Sequence, residues 1–402
     1  MSYYINKDSF YNIRFVDDPN PNYERQKWDC LNENELLSQS IGIILDQLNK
    51  VKDLSSIISL LDKNENTLLI IGNGFDLSHG IPTKYTDFKK NFIDNEVKFG
   101  NKEIGKFKKF YNKEFFYEYG DKWADVESVL SKFSIIYPKV LMCNSSFDLK
   151  AHLRRIEFVY NKFPEYLKRW ISEIDNTITE SYDIKDDIKE LVNLSSSVIS
   201  FNYTNTISKL YRKSFENLCF IHGQSNKLNL QSEFFSEQRN RDLLTSCGIS
   251  INIPDYEYLI CGSCITSASF DVIKNKLYQT VSFLSQNDHD KSTILIDNFV
   301  NKFNEYKLIN KNILIPSSSL KLVFKDKYKN VVVFGHSLAS CDYARFDYFK
   351  DLLKDCKWYI GIYCDIYEKE NNLGNNTDAN NLKKFIRFMD INPINITIFS
   401  TK

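Results

Sequence analysis

A doubly wound α/β fold around a parallel sheet is the architecture this sequence predicts, and three observations predict it. Short, uninterrupted apolar runs recur along the chain, helical patterns lie between most of them, and the scarce glycines and histidines collect where the runs end. A run of roughly four to eight apolar residues, bounded by glycine or polar residues, fits a strand buried on both faces. Alternation of such strands with helices gives the Rossmann-like arrangement.

In chain order, residues 1–64 read as an N-terminal helical extension. After a polar start, Leu36, Leu37, Ile41, Ile44, Leu45 and Leu48 recur at helical spacing in a stretch from Glu35 to Leu61. That pattern fits a helix on the domain surface, or an oligomerisation or partner arm. Residues 65–402 read as the Rossmann-like domain. Its expected strands are Thr67–Ile71, Ser197–Phe201, Leu218–Ile221, Tyr258–Cys261, Asn330–Phe334, Trp358–Ile362 and Ile396–Phe399. Two stretches exceed a minimal doubly wound unit and read as helical insertions over the ligand crevice. The first covers about 86–195, with helical patterns at Trp123–Phe133 and Leu153–Ile171; the second covers about 229–325, with one at Phe270–Leu284. The Asn-rich tract Asn371–Asn381 reads as a loop.

Composition removes several classes. Lys+Arg 52 balances Asp+Glu 52, which argues against nucleic-acid binding by overall charge, because counterion release needs a cationic surface. No run approaches the roughly 18 apolar residues of a membrane span, and Met1–Asp8 lacks a signal-peptide pattern. The nine cysteines are odd in number and scattered, which reads as reduced thiols in a cytoplasmic protein. Cys261 and Cys264 form the one C-x-x-C; with no second ligand pair at suitable spacing, they read as buried strand cysteines, and no zinc is expected.

The chemistry-bearing residues sit at the expected strand ends, where open α/β sheets bind ligands. Ile71-Gly72-Asn73-Gly74-Phe75-Asp76-Leu77-Ser78-His79-Gly80-Ile81-Pro82-Thr83 follows the first strand. Its spaced glycines allow a tight turn and close backbone approach, and a following helix would offer N–H groups to a pyrophosphate; a turn that binds nothing is the plainer alternative. Ser200-Phe201-Asn202-Tyr203-Thr204 can hold a ribose hydroxyl or a water, or Asn202 can cap the next helix. His222-Gly223 and Gly335-His336-Ser337, with Asp342 beyond, add two candidate bases and a hydroxyl. Asp125 and Glu127, after Trp123, are either solvated in a first helical turn or an acidic contribution from the insertion.

The ordered segments G-N-G-F-D-L-S-H-G-I-P-T-K-Y-T-D-F, W-A-D-V-E, F-N-Y-T-N-T, I-H-G and G-H-S-L-x-x-x-D resemble the abortive-infection AbiH family of bacterial phage-defence proteins, over about residues 67–400. More distantly, the chain is similar to sirtuins and sirtuin-like NAD-hydrolysing defence proteins. Gly72, Gly74, Gly80, Ile81 and Pro82 match the spacing of their glycine loop. Asn202, His222-Gly223 and Gly335-His336-Ser337 match their T-Q-N-I-D, H-G and G-T-S segments. Thr204 stands where those families carry Asp, and their four-cysteine zinc module is missing, which argues against lysine deacylation.

The resemblance implies a defence effector that binds NAD and, after activation, hydrolyses its nicotinamide–ribose bond. Asn202, His222, Asp76 and His79 are the catalytic candidates. Gly72, Asn73, Gly74, Phe75, Pro82, Thr204, Gly335, His336, Ser337 and Asp342 would bind the nucleotide. A phage-derived trigger or partner protein and a homo-oligomer are the expected associations. Two alternatives stay open: a nucleotide-binding sensor without catalysis, and a nuclease whose metal is held by Asp76, His79, Asp125 and Glu127.

Overall fold

The computed structural model describes residues 51–115, 145–179, 184–212, 217–222, 289–312, 327–339, 342–347, 349–363 and 377–402, with a few single positions between them. Six strands, β1 (Thr67–Ile71), β2 (Ser197–Ser200), β3 (Leu218–Phe220), β4 (Asn330–Phe334), β5 (Lys357–Ile362) and β6 (Ile396–Ser400), form one sheet. All neighbours are parallel, in the order β3-β2-β1-β4-β5-β6. The chain winds outward from β1 to β3, then returns to lay β4 beside β1. That reversal is the topological switch point, where such sheets open a crevice beyond their carboxyl ends. The strand expected at Tyr258–Cys261, with Cys264, lies outside the described residues, as does the helical pattern at Phe270–Leu284.

The strands are uninterrupted apolar runs because helices cover both faces. Alternate residues divide between them. Leu69, Ile71, Val198, Val332 and Phe334 pack with Ile57, Leu191 and Ile207, whereas Leu68, Ile70, Ile199, Val331 and Val333 pack with Leu353, Phe385 and Met389. The covering helices include α1 (Leu54–Leu60), α2 (Asn73–Ser78), α3 (Lys102–Phe115), α4 (Ser146–Thr177), α5 (Asp186–Leu194), α6 (Thr206–Tyr211), α7 (His289–Asn312), α8 (Tyr343–Phe346) and α9 (Thr377–Met389). Helix α9 begins inside the Asn-rich tract expected to be a loop; polar residues such as Thr and Asp favour helix starts, so a polar tract need not stay irregular.

Residues 51–61 are packed into the domain. Asp53 caps α1 by accepting from the Ser56 N–H at 2.6 Å. Lys52 bridges β6, donating to Ile398 O at 3.0 Å and accepting from Ser400 N–H at 2.8 Å, so this sheet edge is partly paired.

The first insertion builds a second core, shared with Leu210 of α6 and Ile296 and Val300 of α7, in which Phe88, Phe107, Tyr111, Trp123, Phe163 and Trp170 are buried together. The pattern at Leu153–Ile171 falls inside the 32-residue α4, whose start is capped by Ser145. A buried carboxylate ties α3 to α4: Glu114 accepts from His152 Nδ1 at 2.5 Å and Arg155 Nε at 2.6 Å.

At the switch point the turns after β1 and β4 touch backbone to backbone. A Cβ on Gly74 would lie 2.6 Å from Gly335 Cα, and one on Gly335 would lie 2.4 Å from Phe75 N. Gly335 also has φ +68°, in the left-handed region that side chains resist. Gly80 shares the positive φ, at +74°, but a Cβ there would meet nothing within 4 Å. The two sites separate backbone strain from steric exclusion. Gly80→Ala is expected to cost about 1–2 kcal/mol, the left-handed penalty alone. Gly335→Ala adds a backbone clash and should cost at least about 1–3 kcal/mol more. Urea denaturation of the two variants checks the ranking.

Candidate functional site

The site is assembled from the carboxyl ends of β1 to β4. After β1, the glycine turn uses its amides inside the protein: Gly72 N–H donates to Phe334 O at 3.2 Å, Gly74 N–H to Gly335 O at 2.7 Å, and Phe75 N–H to Gly72 O at 2.8 Å. Those donors are therefore engaged by β4 and by the turn itself, not presented to a pyrophosphate. The Phe75 side chain is fully buried against Phe334, Tyr211 and His79. Asn73 and Pro82 are exposed, and Asn73 Oδ1 accepts from Thr83 Oγ1 at 2.5 Å.

Asp76, in the first turn of α2, is buried and makes the first polar cluster. Its Oδ1 accepts from Asn202 Nδ2 at 3.1 Å and its Oδ2 from Thr204 Oγ1 at 2.6 Å. Thr206 Oγ1 donates to Thr204 Oγ1 at 3.1 Å. Burial pushes the Asp76 carboxyl up to about 7, against the hydrogen bonds from Thr204 and Asn202 and with help from the charge of Asp175. Asp175 reaches this region from α4, where its Oδ1 accepts from Asn205 N–H at 2.8 Å. Sequence reasoning missed it, yet a signal existed: Asp175 stands on the apolar stripe of Ile171, Ile174 and Ile178, and a fully buried acid on such a stripe needs a polar partner.

The second cluster centres on Asp342, which precedes α8. His222 Nε2 lies 3.2 Å from its Oδ1, and His336 Nε2 lies 3.3 Å from its Oδ2. Burial alone would raise the Asp342 carboxyl, but the hydrogen bonds it takes from both imidazoles hold it well below the usual carboxylate range. His336 Nδ1 accepts from Leu338 N–H at 2.9 Å, so both His336 nitrogens have partners. Leu338 sits at φ +51°, and this strained turn fixes the His336 ring. His222 differs. Its Nε2 lies against Asp342, the tautomer with its proton there leaves Nδ1 as an acceptor, and that buried Nδ1 has no partner.

Asn202 Oδ1 is likewise unpartnered. Asn202 is 4% exposed and His222 2% exposed, and neither Asn202 Oδ1 nor His222 Nδ1 receives a hydrogen bond. The register explains their proximity. Ser200 pairs with Phe220, and each of the two residues lies two positions further along its own chain. The Tyr203 ring, next in sequence to Asn202, is centred 5.3 Å from the His222 ring.

The remaining candidates divide. His79 is fully engaged: Nδ1 bonds Phe75 O at 2.7 Å and Nε2 bonds the Tyr211 hydroxyl at 2.5 Å, while burial lowers its pKa. It has no free nitrogen to act on a substrate. Ser337 is exposed, and its carbonyl accepts from Asn381 Nδ2 at 3.1 Å. Asp125, Glu127 and Gly223 lie outside the described residues. Among the described residues, no group of three or more His, Cys, Asp or Glu is placed to hold a metal, and no helix is long and apolar enough to cross a membrane.

These features define a Rossmann-like α/β protein with a carboxylate-backed histidine and an oriented amide at its strand ends. The sequence profile of the bacteriophage abortive infection AbiH family matches residues 68–361, which takes in both clusters. The chain belongs to that family, and its role is defence against phage by abortive infection. No curated protein and no solved structure matches it.

The two carboxylates give opposite dependences of stability on pH. Asp76 is raised from 3.8 to about 7, so its contribution is greatest below about 4 and is lost as pH rises toward 7. Asp342 is lowered, so its contribution is present above about 4 and is lost as pH falls below that. Asp76→Asn should therefore melt increasingly better, relative to the parent protein, as pH goes from 5 to 8. Asp342→Asn should be destabilised most above pH 5. Thermal melts across that range check both signs.

Proposed function

We propose that this phage-defence protein acts by hydrolysing NAD at the nicotinamide–ribose bond once a phage-derived trigger activates it. One observation carries the reaction: Asn202 Oδ1 and His222 Nδ1 are buried acceptors at neighbouring strand ends with no donor from the protein. A buried polar group left unpaired costs about 1–3 kcal/mol. A ligand with O–H donors, such as ribose hydroxyls, or a water relieves that cost. The distant likeness to sirtuin-like NAD-hydrolysing proteins at the same two positions supports NAD as the ligand.

Loss of nicotinamide develops positive charge on the ribose, as in glycoside cleavage. Attack by water then needs a base, and His222 Nδ1 takes the proton. Asp342 holds Nε2–H, fixes the tautomer and stabilises the imidazolium that forms. Asn202 accepts from the ribose or from the water and orients it. The engaged amides of Gly72 and Gly74 place recognition at the ribose end in this reading. A sensor without catalysis is the second reading, favoured by Thr204 standing where sirtuins have Asp. Asp76 and His79 have partners on their side-chain acceptors, which weighs against using them as metal ligands in a nuclease.

Purified protein incubated with NAD, and cells assayed with and without phage infection, should release nicotinamide and ADP-ribose. Absence of both products in both settings sinks the NAD reading. His222→Ala should lower turnover by about 10²–10⁴-fold, the usual worth of general-base catalysis. If that variant keeps full protection while Gly74→Leu loses it, the sensor reading replaces the catalytic one.

A further inference from the structure

We infer that Asp76 is a positioning residue: from the glycine loop it orients the Asn202 side-chain amide so that the acceptor end faces the ligand. The inference rests on the reading above, in which Asn202 touches the ligand. An amide presents a donor at one end and an acceptor at the other, and the end that faces the crevice decides what binds. Asp76 Oδ1 takes the Nδ2 hydrogen at 3.1 Å, and Asn202 Oδ1 is the end left without a partner. With Asp76 ionised, rotating the amide by half a turn would set its oxygen against a carboxylate oxygen and lose that bond.

The carboxylate is itself held. Thr204 Oγ1 donates its one proton to Asp76 Oδ2 at 2.6 Å, and accepts from Thr206 Oγ1 at 3.1 Å. The relay Thr206 to Thr204 to Asp76 runs in one direction, so Asp76 meets donors on both oxygens. Its environment makes it an anchor for the amide, not a group that meets substrate. Asp76 is 1% exposed and lies behind Asn202 in this chain of contacts.

Four proteins test this: Asp76→Ala, Asp76→Asn, Thr204→Asp, and the exchange of Asp76→Thr with Thr204→Asp. Circular dichroism and thermal melts report folding. Protection against phage by plating and NAD turnover report function. Asp76→Ala should lose about 100-fold in turnover, the scale of a misplaced catalytic group, with KM changed by less than about threefold. Asp76→Asn offers a carbonyl to Asn202 Nδ2 and should stay within about tenfold of the parent. The exchange keeps one carboxylate and one hydroxyl in the same pair, so it should recover most of what Asp76→Ala loses, whereas Thr204→Asp alone crowds two carboxylates and should not. A folded Asp76→Ala with full protection overturns the inference. A folded Asp76→Asn as inactive as Asp76→Ala also overturns it, because a proton-transfer role would then be required. Should Asp76→Ala not fold, Asp76→Asn and the exchange decide alone. If the parent protein turns over no NAD but the plating results follow the expected order, the NAD reading fails and the positioning role stands.

Discussion

The contact between the turns after β1 and β4 is the constraint on which the site depends. Gly74 N–H reaches Gly335 O at 2.7 Å, and no Cβ fits on either residue. A parallel sheet that reverses its winding leaves a gap between its first and fourth strands. Here backbone closes the floor of that gap. Closure has two consequences. It fixes the start of α2, which carries Asp76, against the turn that carries His336. It also leaves the chemistry to side chains from β2 and β3, since the amides of Gly72 and Gly74 already have acceptors.

Two buried carboxylates then divide the polar work. Both lose hydration, and burial pushes both upward. Asp342 is reversed because two imidazoles donate to it; Asp76 is not, because its partners are neutral hydroxyl and amide groups and another acid lies near. Environments that drive two acids apart are a recognised sign of separated roles. The low one serves as a fixed negative charge behind His222. The high one serves as an anchor for Asn202. The buried acceptors Asn202 Oδ1 and His222 Nδ1 are what these two supports leave without a partner in the protein.

Much of this was legible in the sequence, for physical reasons. Doubly buried strands must be apolar along their whole length, so Thr67–Ile71 and Asn330–Phe334 announce themselves, and residues at their ends fall in the crevice. The ends of Ser197–Ser200, Leu218–Phe220 and Asn330–Phe334 bring Asn202, His222 and His336 to one edge of the sheet, and Asp342 joins the two imidazoles there. What periodicity does not carry is which atom faces which. The turn glycines look like a phosphate cradle from spacing alone, since spacing cannot tell an amide offered to a ligand from one bonded to Gly335. His79 looks like a base until Phe75 O and Tyr211 take its two nitrogens. The substitution of Thr at 204 looks like a lost acid until the hydroxyl is seen against Asp76.

Asp175 makes the same point about the insertion. The bulk of α4 lies in a separate aromatic core, so by packing alone the insertion would be a cover laid over the sheet. Near its end, however, α4 buries a carboxylate that bonds the backbone of Asn205, three residues beyond Asn202. A buried charge is tolerated only where its hydrogen bonds are kept, and breaking such a pair commonly costs several kcal/mol. The loop bearing Asn202, Thr204 and Thr206 thus has two carboxylate supports, Asp76 from the sheet side and Asp175 from the insertion. Displacing α4 would strip the second support and change the field on the first, because the charge of Asp175 adds to the burial that raises Asp76. The insertion is therefore part of the site's electrostatics, and its aromatic core is what holds that contribution in place.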